Sequence, residues 1–198
     1  MHPFLFSLFQ KYISKDKKIL DVGSGSGAWG KRLLDNEYQD IYLIDGFLDP
    51  DIPFDNFIKS DFTKNLPYED SFFDAISCLE VIEHVENRYL LINEMLRALK
   101  KDGIIMISTP NIDTIIVGKI FFFLTGNLIG FTKKDGIFDT FPAHINPFYF
   151  PSVLAYYQDK IELVGIYYSV WKVPFFGWNI PFHNRYFGNT SIYILRKK

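Results

Sequence analysis

Residues 19–27, Ile-Leu-Asp-Val-Gly-Ser-Gly-Ser-Gly, constrain the fold more than any other stretch of the chain. A short apolar run meets Asp21 and then a glycine at every second position. Ile19, Leu20 and Val22 read as a strand buried in a sheet, while Gly23, Gly25 and Gly27 turn the chain sharply and let a ligand approach the backbone. Residues 28–34 then read as a helix whose first free amides suit an anionic group. This is the opening of a nucleotide- or nucleoside-binding unit. Gly23-x-Gly25-x-x-Ala28 also fits the dinucleotide fingerprint, and a glycine-rich turn with no ligand is the plain structural alternative.

The chain is long enough for one domain with a full core and too short for a separate substrate domain, with 198 residues of which 48% are hydrophobic. A net charge of -2 argues against a protein that lives on nucleic acid, because phosphate neutralisation needs a basic surface. The single Cys78 excludes an internal disulfide framework and suits a reducing, cytoplasmic setting. Residues 3–13 lack the basic region and cleavage site of a signal peptide and read as a short amphipathic helix.

Strands are expected at about 17–22, 40–45, 56–60, 72–78 and 103–109, with helices at 28–36 and 86–100. In the second helix Leu91, Ile92, Met95, Leu96 and Leu99 share one face, Asn93, Glu94, Arg97 and Lys100 the other, and Asp102-Gly103 is the expected stop. Two prolines between Asp45 and Asn56 leave room for at most a short crossover helix there. A helix near 150–158 and strands near 161–169 and 190–196 follow. The alternation predicts an α/β fold: a Rossmann-like, doubly wound, mostly parallel sheet covered on both faces, a three-layer α/β/α sandwich.

Ligands of such sheets sit at the carboxyl ends of the strands. Those ends carry Gly23–Gly27, Asp45 with Gly46, Asp61 with Phe62, Leu79 with Glu80, and a Ser108-Thr109-Pro110-Asn111 turn. Asp45, about 20 residues past the glycines, suits the two hydroxyls of a ribose. Asp61 suits the amino group of adenine, with Phe62 beside the ring. Each acid alone is an ordinary loop residue, and three at successive strand ends point to an adenosine-type ligand.

Taken in order, the glycine turn, Leu-Ile-Asp45, Ser-Asp61-Phe62, the Leu66–Ile76 block, Glu80-Val-Ile-Glu83-His84-Val and the run from Leu99 to Asn111 resemble the class I S-adenosylmethionine-dependent methyltransferases of the small-molecule type, type 11/23-like. The likeness covers about residues 17–111 and continues more loosely to about 168. It implies a seven-stranded sheet with an antiparallel last strand and S-adenosyl-L-methionine as cofactor. Asp21, Gly23, Ser24, Gly25 and Gly27 would lie beside its methionine part, Asp45 and Gly46 at the ribose, Asp61 and Phe62 at the adenine, and Leu79 and Glu80 along the pocket. The Phe73–Val85 block gives a dehydrogenase no use, which sets the NAD(P)-binding oxidoreductase behind this reading.

The sulfonium makes the methyl electrophilic, so a protein of this kind must align the acceptor and exclude water. An oxygen acceptor must also lose a proton. Glu80, Glu83 and His84 share one face if they lie on a helical first turn, and His144 follows 60 residues after His84. Glu80, His84 and His144 are therefore the candidate catalytic groups. A Glu-x-x-Glu-His helix with a distant His is similar to the metal site of the small-RNA 3′-end 2′-O-methyltransferases, with similar residues in ubiquinone-biosynthesis O-methyltransferases. That likeness implies Glu80, Glu83, His84 and His144 as ligands of one divalent ion, Mg or Zn. The competing reading has the same side chains capping, pairing or lining the pocket.

One methyltransferase domain is expected over 1–198, with cap insertions at about 112–150 and 170–187. The first holds the apolar run Ile115–Phe131, which is short for a membrane span and carries Lys119, Asn127 and three glycines; a peripheral membrane contact or a homodimer surface fits it. The second holds seven aromatic residues between Trp171 and Phe187, with Lys172, His183 and Arg185 among them as candidates for an anionic or sugar substrate. Trp29 reads as core. The expected activity is O-methylation of a small-molecule, glycan or lipid-linked acceptor. The alternative is a catalytically silent S-adenosylmethionine-binding module.

Overall fold

The computed structural model describes residues 3–111, 150–169, 171–172, 179–180, 185 and 190–198. Most of both expected insertions, with His144 and His183, lies outside them. In chain order the elements are α1 (Pro3–Tyr12), β1 (Ile19–Val22), α2 (Ala28–Leu34), β2 (Ile41–Asp45), β3 (Phe57–Lys59), β4 (Phe73–Leu79), a 3-10 turn (Ile82–His84), α3 (Arg88–Ala98), β5 (Leu99–Pro110), α4 (Phe150–Tyr156), β6 (Ile161–Tyr168), β7 (Trp171–Lys172), β8 (Asn179–Ile180) and β9 (Thr190–Lys197). Seven strands form one sheet of order β3-β2-β1-β4-β5-β9-β6, and β7 pairs with β8 separately. The first five strands are parallel neighbours, while β9 runs antiparallel to β5 and β6.

Strand alternation divides the core into two layers. Leu20, Val22, Ile44, Ile76, Cys78, Ile105 and Ile107 face α3 and α4, where Leu91, Met95, Phe150 and Val153 meet them. Ile19, Leu43, Ala75, Met106, Ile192 and Ile194 face α1 and α2, against Leu5, Phe6, Phe9, Trp29 and Leu33. Trp29 is core, as expected, with Phe6 and Phe9 edge-on to its ring at 5.9 and 5.2 Å. Strand order reverses direction of travel around β1, which puts the crevice between the loops that follow β1 and β4.

Three boundaries depart from the sequence reading. Helix α3 ends at Ala98 and not at the Asp102-Gly103 signal, because Leu99 is already extended and paired with Phe73. Asp102, left-handed at φ 61°, instead sits where the β4–β5 register shifts between Phe73 and Ala75. The expected turn at 108–111 begins later, since Ser108, Thr109 and Pro110 still pair with Ile192, Ser191 and Thr190. Strand β3 stops at Lys59, which places Asp61 two residues beyond it. No described helix is long and apolar enough to cross a membrane, and between Asp45 and Asn56 no helix forms, as the prolines required.

Candidate functional site

The glycine turn is left-handed at all three expected positions, with φ 69° at Gly23, 54° at Gly25 and 75° at Gly27. At Gly23 the absent side chain is also a packing requirement, because a Cβ there would lie 2.5 Å from Val81 Cγ2 in the loop after β4. The Gly23 and Ser24 amides both donate to the Ile44 carbonyl, at 2.9 and 3.2 Å, which fixes the turn against β2. The Ser24 hydroxyl is buried with no partner among the described residues. It is a polar group inside the cradle that a ligand can satisfy.

Asp45 ends β2 as expected and is 7% exposed. Its carboxylate accepts three backbone N–H groups: Gly25 on Oδ2 at 2.8 Å, and Phe47 and Leu48 on Oδ1 at 2.8 and 2.9 Å. Asp45 thereby clasps the glycine turn to the β2–β3 connection and keeps acceptor capacity on Oδ2 for a hydroxyl. Phe47 and Leu48 stand open to solvent at 86% and 55% exposure, an apolar pair at the mouth of the crevice. Asp61 is exposed, and its Oδ1 accepts the Thr63 amide and hydroxyl at 3.2 and 2.5 Å while Lys64 pairs with Oδ2 at 3.0 Å. These bonds hold its carboxyl below the usual range. Phe62 is buried in the α3/α4-side core, so its ring packs beneath this edge.

Beneath the turn, Asp21 is 3% exposed and accepts the Ser77 hydroxyl on Oδ1 at 2.8 Å. Burial pushes its carboxyl up to about 7; the Ser77 bond works against this, and the charge of Asp45 adds to it.

The block after β4 differs from the helical turn expected of it. Only Ile82–His84 is helical, as one 3-10 turn, and Glu80 is left-handed at φ 57°. The i, i+3, i+4 spacing therefore does not place the three side chains on one helical face. Glu80 is committed to Ser108 across the β4–β5 boundary. Its amide donates to the Ser108 carbonyl at 3.0 Å and to Ser108 Oγ at 3.1 Å, and the Ser108 hydroxyl returns a bond to Oε1 at 2.7 Å. The residue keeps open surface toward a recess, yet protein crowds its carboxyl and pushes it upward, against the Ser108 bond. Glu83 is 1% exposed, with no hydrogen-bond donor in place for either oxygen among the described residues. Burial pushes it up to about 7, and the charge of Glu80 adds to this. His84 is exposed and stands 4.0 Å from Glu83 Oε1.

No three metal-ligating side chains converge among the described residues. Glu80 is turned to Ser108 and Glu83 into the core, so this part of the Glu80, Glu83, His84 and His144 quartet does not fit a shared ion. The residues around the glycine turn do fit an adenosine-type cofactor: a left-handed cradle with open space beside Gly25, an orphaned buried hydroxyl at Ser24 and a carboxylate with spare acceptor capacity.

A recess of about 420 Å³ adjoins the turn on the α1/α2 face, lined by Phe4, Leu5, Ala28, Leu79 and Ile192 together with Glu80, Ser108, Ser169 and Thr190. Strand-end position in the sequence predicts Glu80 and Ser108 near the site, but neither the bond between them nor the part taken by α1. Only the pairing of Leu79 with Ser108 brings the two together.

A methyltransferase-domain family matches residues 2–148, and the chain belongs to that family. The seven-stranded sheet with its antiparallel β9 has the same architecture as a solved S-adenosylmethionine-dependent methyltransferase of Archaeoglobus fulgidus, with TM-score 0.67, 19% identity and coverage of 98% of this chain and 92% of that one. Among curated relatives, a ubiquinone biosynthesis O-methyltransferase of Rickettsia bellii is 35% identical over 104 residues, 48% of this chain and 43% of the relative. A ubiquinone/menaquinone biosynthesis C-methyltransferase UbiE of Campylobacter jejuni is 32% identical over 109 residues, 48% of this chain and 46% of the relative. The matches span less than half the length of these curated relatives.

Proposed function

We propose that this chain binds S-adenosylmethionine and transfers its methyl group to an oxygen of a small-molecule or lipid-linked acceptor. The observation that carries the reading is the coincidence of the Gly23–Gly27 cradle, the Asp45 carboxylate and the recess beside Glu80 at one edge of the sheet. The cofactor, when bound, supplies a methyl group already activated by its sulfonium. The protein's part is to orient and to exclude water. The glycine turn gives close backbone approach, Asp45 has a lone pair left on Oδ2 for one ribose hydroxyl, and Ser24 offers its unpartnered hydroxyl. Glu80, held by Ser108, is the carboxylate nearest the recess and the group placed to take the proton of an acceptor hydroxyl. Oxygen is preferred over carbon as acceptor atom on the likeness to the O-methyltransferase relatives, and the C-methyltransferase relative sets the competing outcome.

The test is incubation with methyl-labelled S-adenosylmethionine and a small-molecule and lipid extract, followed by identification of the labelled product. Label in a methyl ether is expected. Label on carbon corrects the acceptor atom, and binding of S-adenosylhomocysteine without any transfer overturns the catalytic reading in favour of a silent binding module. Asp45→Ala is expected to weaken S-adenosylhomocysteine by about 1–3 kcal/mol in calorimetry, the range for leaving hydroxyl partners unmatched; unchanged affinity removes Asp45 from the ribose.

A further inference from the structure

Two carboxylates are buried beside the glycine turn, on neighbouring strands, and their partners differ. Asp45 of β2 accepts the Gly25, Phe47 and Leu48 amides. Asp21 of β1, 3% exposed beneath the turn, accepts the Ser77 hydroxyl at 2.8 Å. A carboxyl buried beside a second carboxylate favours its protonated form, and a positive charge brought close favours the ionised one.

The strand register fixes where this carboxyl lies. Asp21 is paired with Leu43 and Ser77, on the sheet face covered by α1 and α2. Ser77 stands two residues before Leu79, which lines the recess, so the Asp21–Ser77 pair sits where turn and recess adjoin. Asp45 of β2 sets a negative field at Asp21, and on β4 the Cys78 thiol is pushed up by burial and by the charges of Glu83 and Asp21. Glu80, beyond the end of β4, is turned to Ser108. The charged side chains of the covering helices are engaged elsewhere: Lys11 with Tyr167, Lys31 with Asp35, and Arg32 over the Phe6 ring.

We propose that the ammonium of the cofactor's amino-acid end, on entering the cradle, expels the proton from Asp21, which ties cofactor affinity to pH and separates amino-acid-bearing nucleosides from bare ones. This rests on the S-adenosylmethionine reading. Of the two charged groups at that end of the cofactor, the field of Asp45 favours the ammonium over the carboxylate. The attraction runs through protein and is screened far less than in water, so it acts without direct contact. The proton of Asp21 passes to the buffer, and the ammonium keeps its own. Burial and Asp45 hold the Asp21 proton up to about pH 7 in the unliganded chain. Below that pH the ligand must displace it, and affinity falls by up to about tenfold per pH unit; above it the carboxyl is already ionised and affinity levels off.

The experiment is calorimetry on the full chain at pH 5.5, 6.5 and 7.5, each in two buffers of different ionisation enthalpy. The probes are S-adenosylhomocysteine and 5′-methylthioadenosine, which has the same nucleoside and thioether without the amino-acid end. S-adenosylhomocysteine is expected to bind at least fivefold more weakly at pH 5.5 than at 7.5 and to release a proton at pH 6.5, while methylthioadenosine changes less than twofold and releases none. Asp21→Asn keeps an acceptor for the Ser77 hydroxyl; it is expected to abolish proton release and to flatten the profile, with affinity at pH 5.5 within twofold of the wild type. Ser77→Ala removes the bond that favours the charged form and is expected to steepen the fall between pH 7.5 and 6.5. Proton release that survives Asp21→Asn, equal pH dependence of the two probes, or proton uptake in place of release overturns the proposal. Tight S-adenosylhomocysteine binding that ignores pH overturns the proposal alone, whereas absence of that binding at every pH overturns the cofactor reading and the proposal with it.

Discussion

Gly23 shows how one residue serves backbone and packing together. Its φ of 69° disfavours any side chain, and Val81 occupies the place a Cβ would take. Gly23→Ala is therefore expected to destabilise the fold by about 1–3 kcal/mol and to weaken S-adenosylhomocysteine at least tenfold. Adding Val81→Ala relieves the steric part alone, so the double variant should recover part of the stability in urea unfolding but not all of it. Asp21 gives a pH dependence whose sign follows from burial. Its folded carboxyl titrates at about 7 against an ordinary value of 3.8, so the folded state holds the proton more tightly than the unfolded chain. Stability from this group is complete below about pH 4 and is lost as pH rises through 7, with a slope of at most about 1.4 kcal/mol per pH unit. Asp21→Asn should flatten the unfolding free energy between pH 5 and 8, measured by urea titration. An unchanged slope excludes Asp21 as its source, leaving Glu83 and Glu80, both raised in the same direction.

Elements were legible in the sequence where apolar period and glycine punctuation agreed, and less so where pairing decided. The glycine turn, the missing crossover helix after Asp45 and the apolar face of α3 all follow from local chemistry, and the chain folds as they require. The polar face of α3 was not legible in the same way. Period 3.6 separates Glu94 and Arg97 from the core face but does not tell which polar side chains meet a distant loop. All five guanidinium donors of Arg97 are in fact used: Nη1 to the Tyr68 carbonyl and Asp70, Nη2 to the Leu66 carbonyl and Glu94, and Nε to Glu94. Glu94 in turn accepts the Leu66 amide at 3.0 Å. The pair fastens residues 66–70 to α3 just before β4, and with them the register of the strand that delivers Glu80. Arg97→Ala is expected to destabilise by about 2 kcal/mol, and Arg97→Lys by nearly as much, since a single ammonium cannot reproduce the planar fork. Urea unfolding measures both, and a lysine variant as stable as the wild type shows that charge alone suffices. The Glu80–His84 block failed for a related reason: spacing counts residues on an assumed helix, and the bonds from Glu80 to Ser108 impose a left-handed residue there instead.

At the scale of the whole molecule, α1 is both a structural layer and a wall of the recess. It buries Leu5, Phe6, Leu8 and Phe9 against the sheet face formed by Ile19, Leu43, Met106, Ile192 and Ile194. Fully burying such side chains contributes roughly 1.5–3 kcal/mol each, so four of them supply roughly 6–12 kcal/mol before the entropy of ordering the helix is subtracted. Domains of this size are stable by only about 5–15 kcal/mol in total. The remainder without α1 would also expose Trp29 and a continuous apolar sheet face to water. Removing residues 1–12 is therefore expected to abolish the cooperative thermal transition, and the shortened chain should aggregate or bind a hydrophobic dye. The identity of the lost element matters to function as much as to folding, because Phe4 and Leu5 go with it. A shortened chain that still melts cooperatively and binds S-adenosylhomocysteine would make α1 a dispensable cover, and the recess would then have to be closed by the rest of the chain.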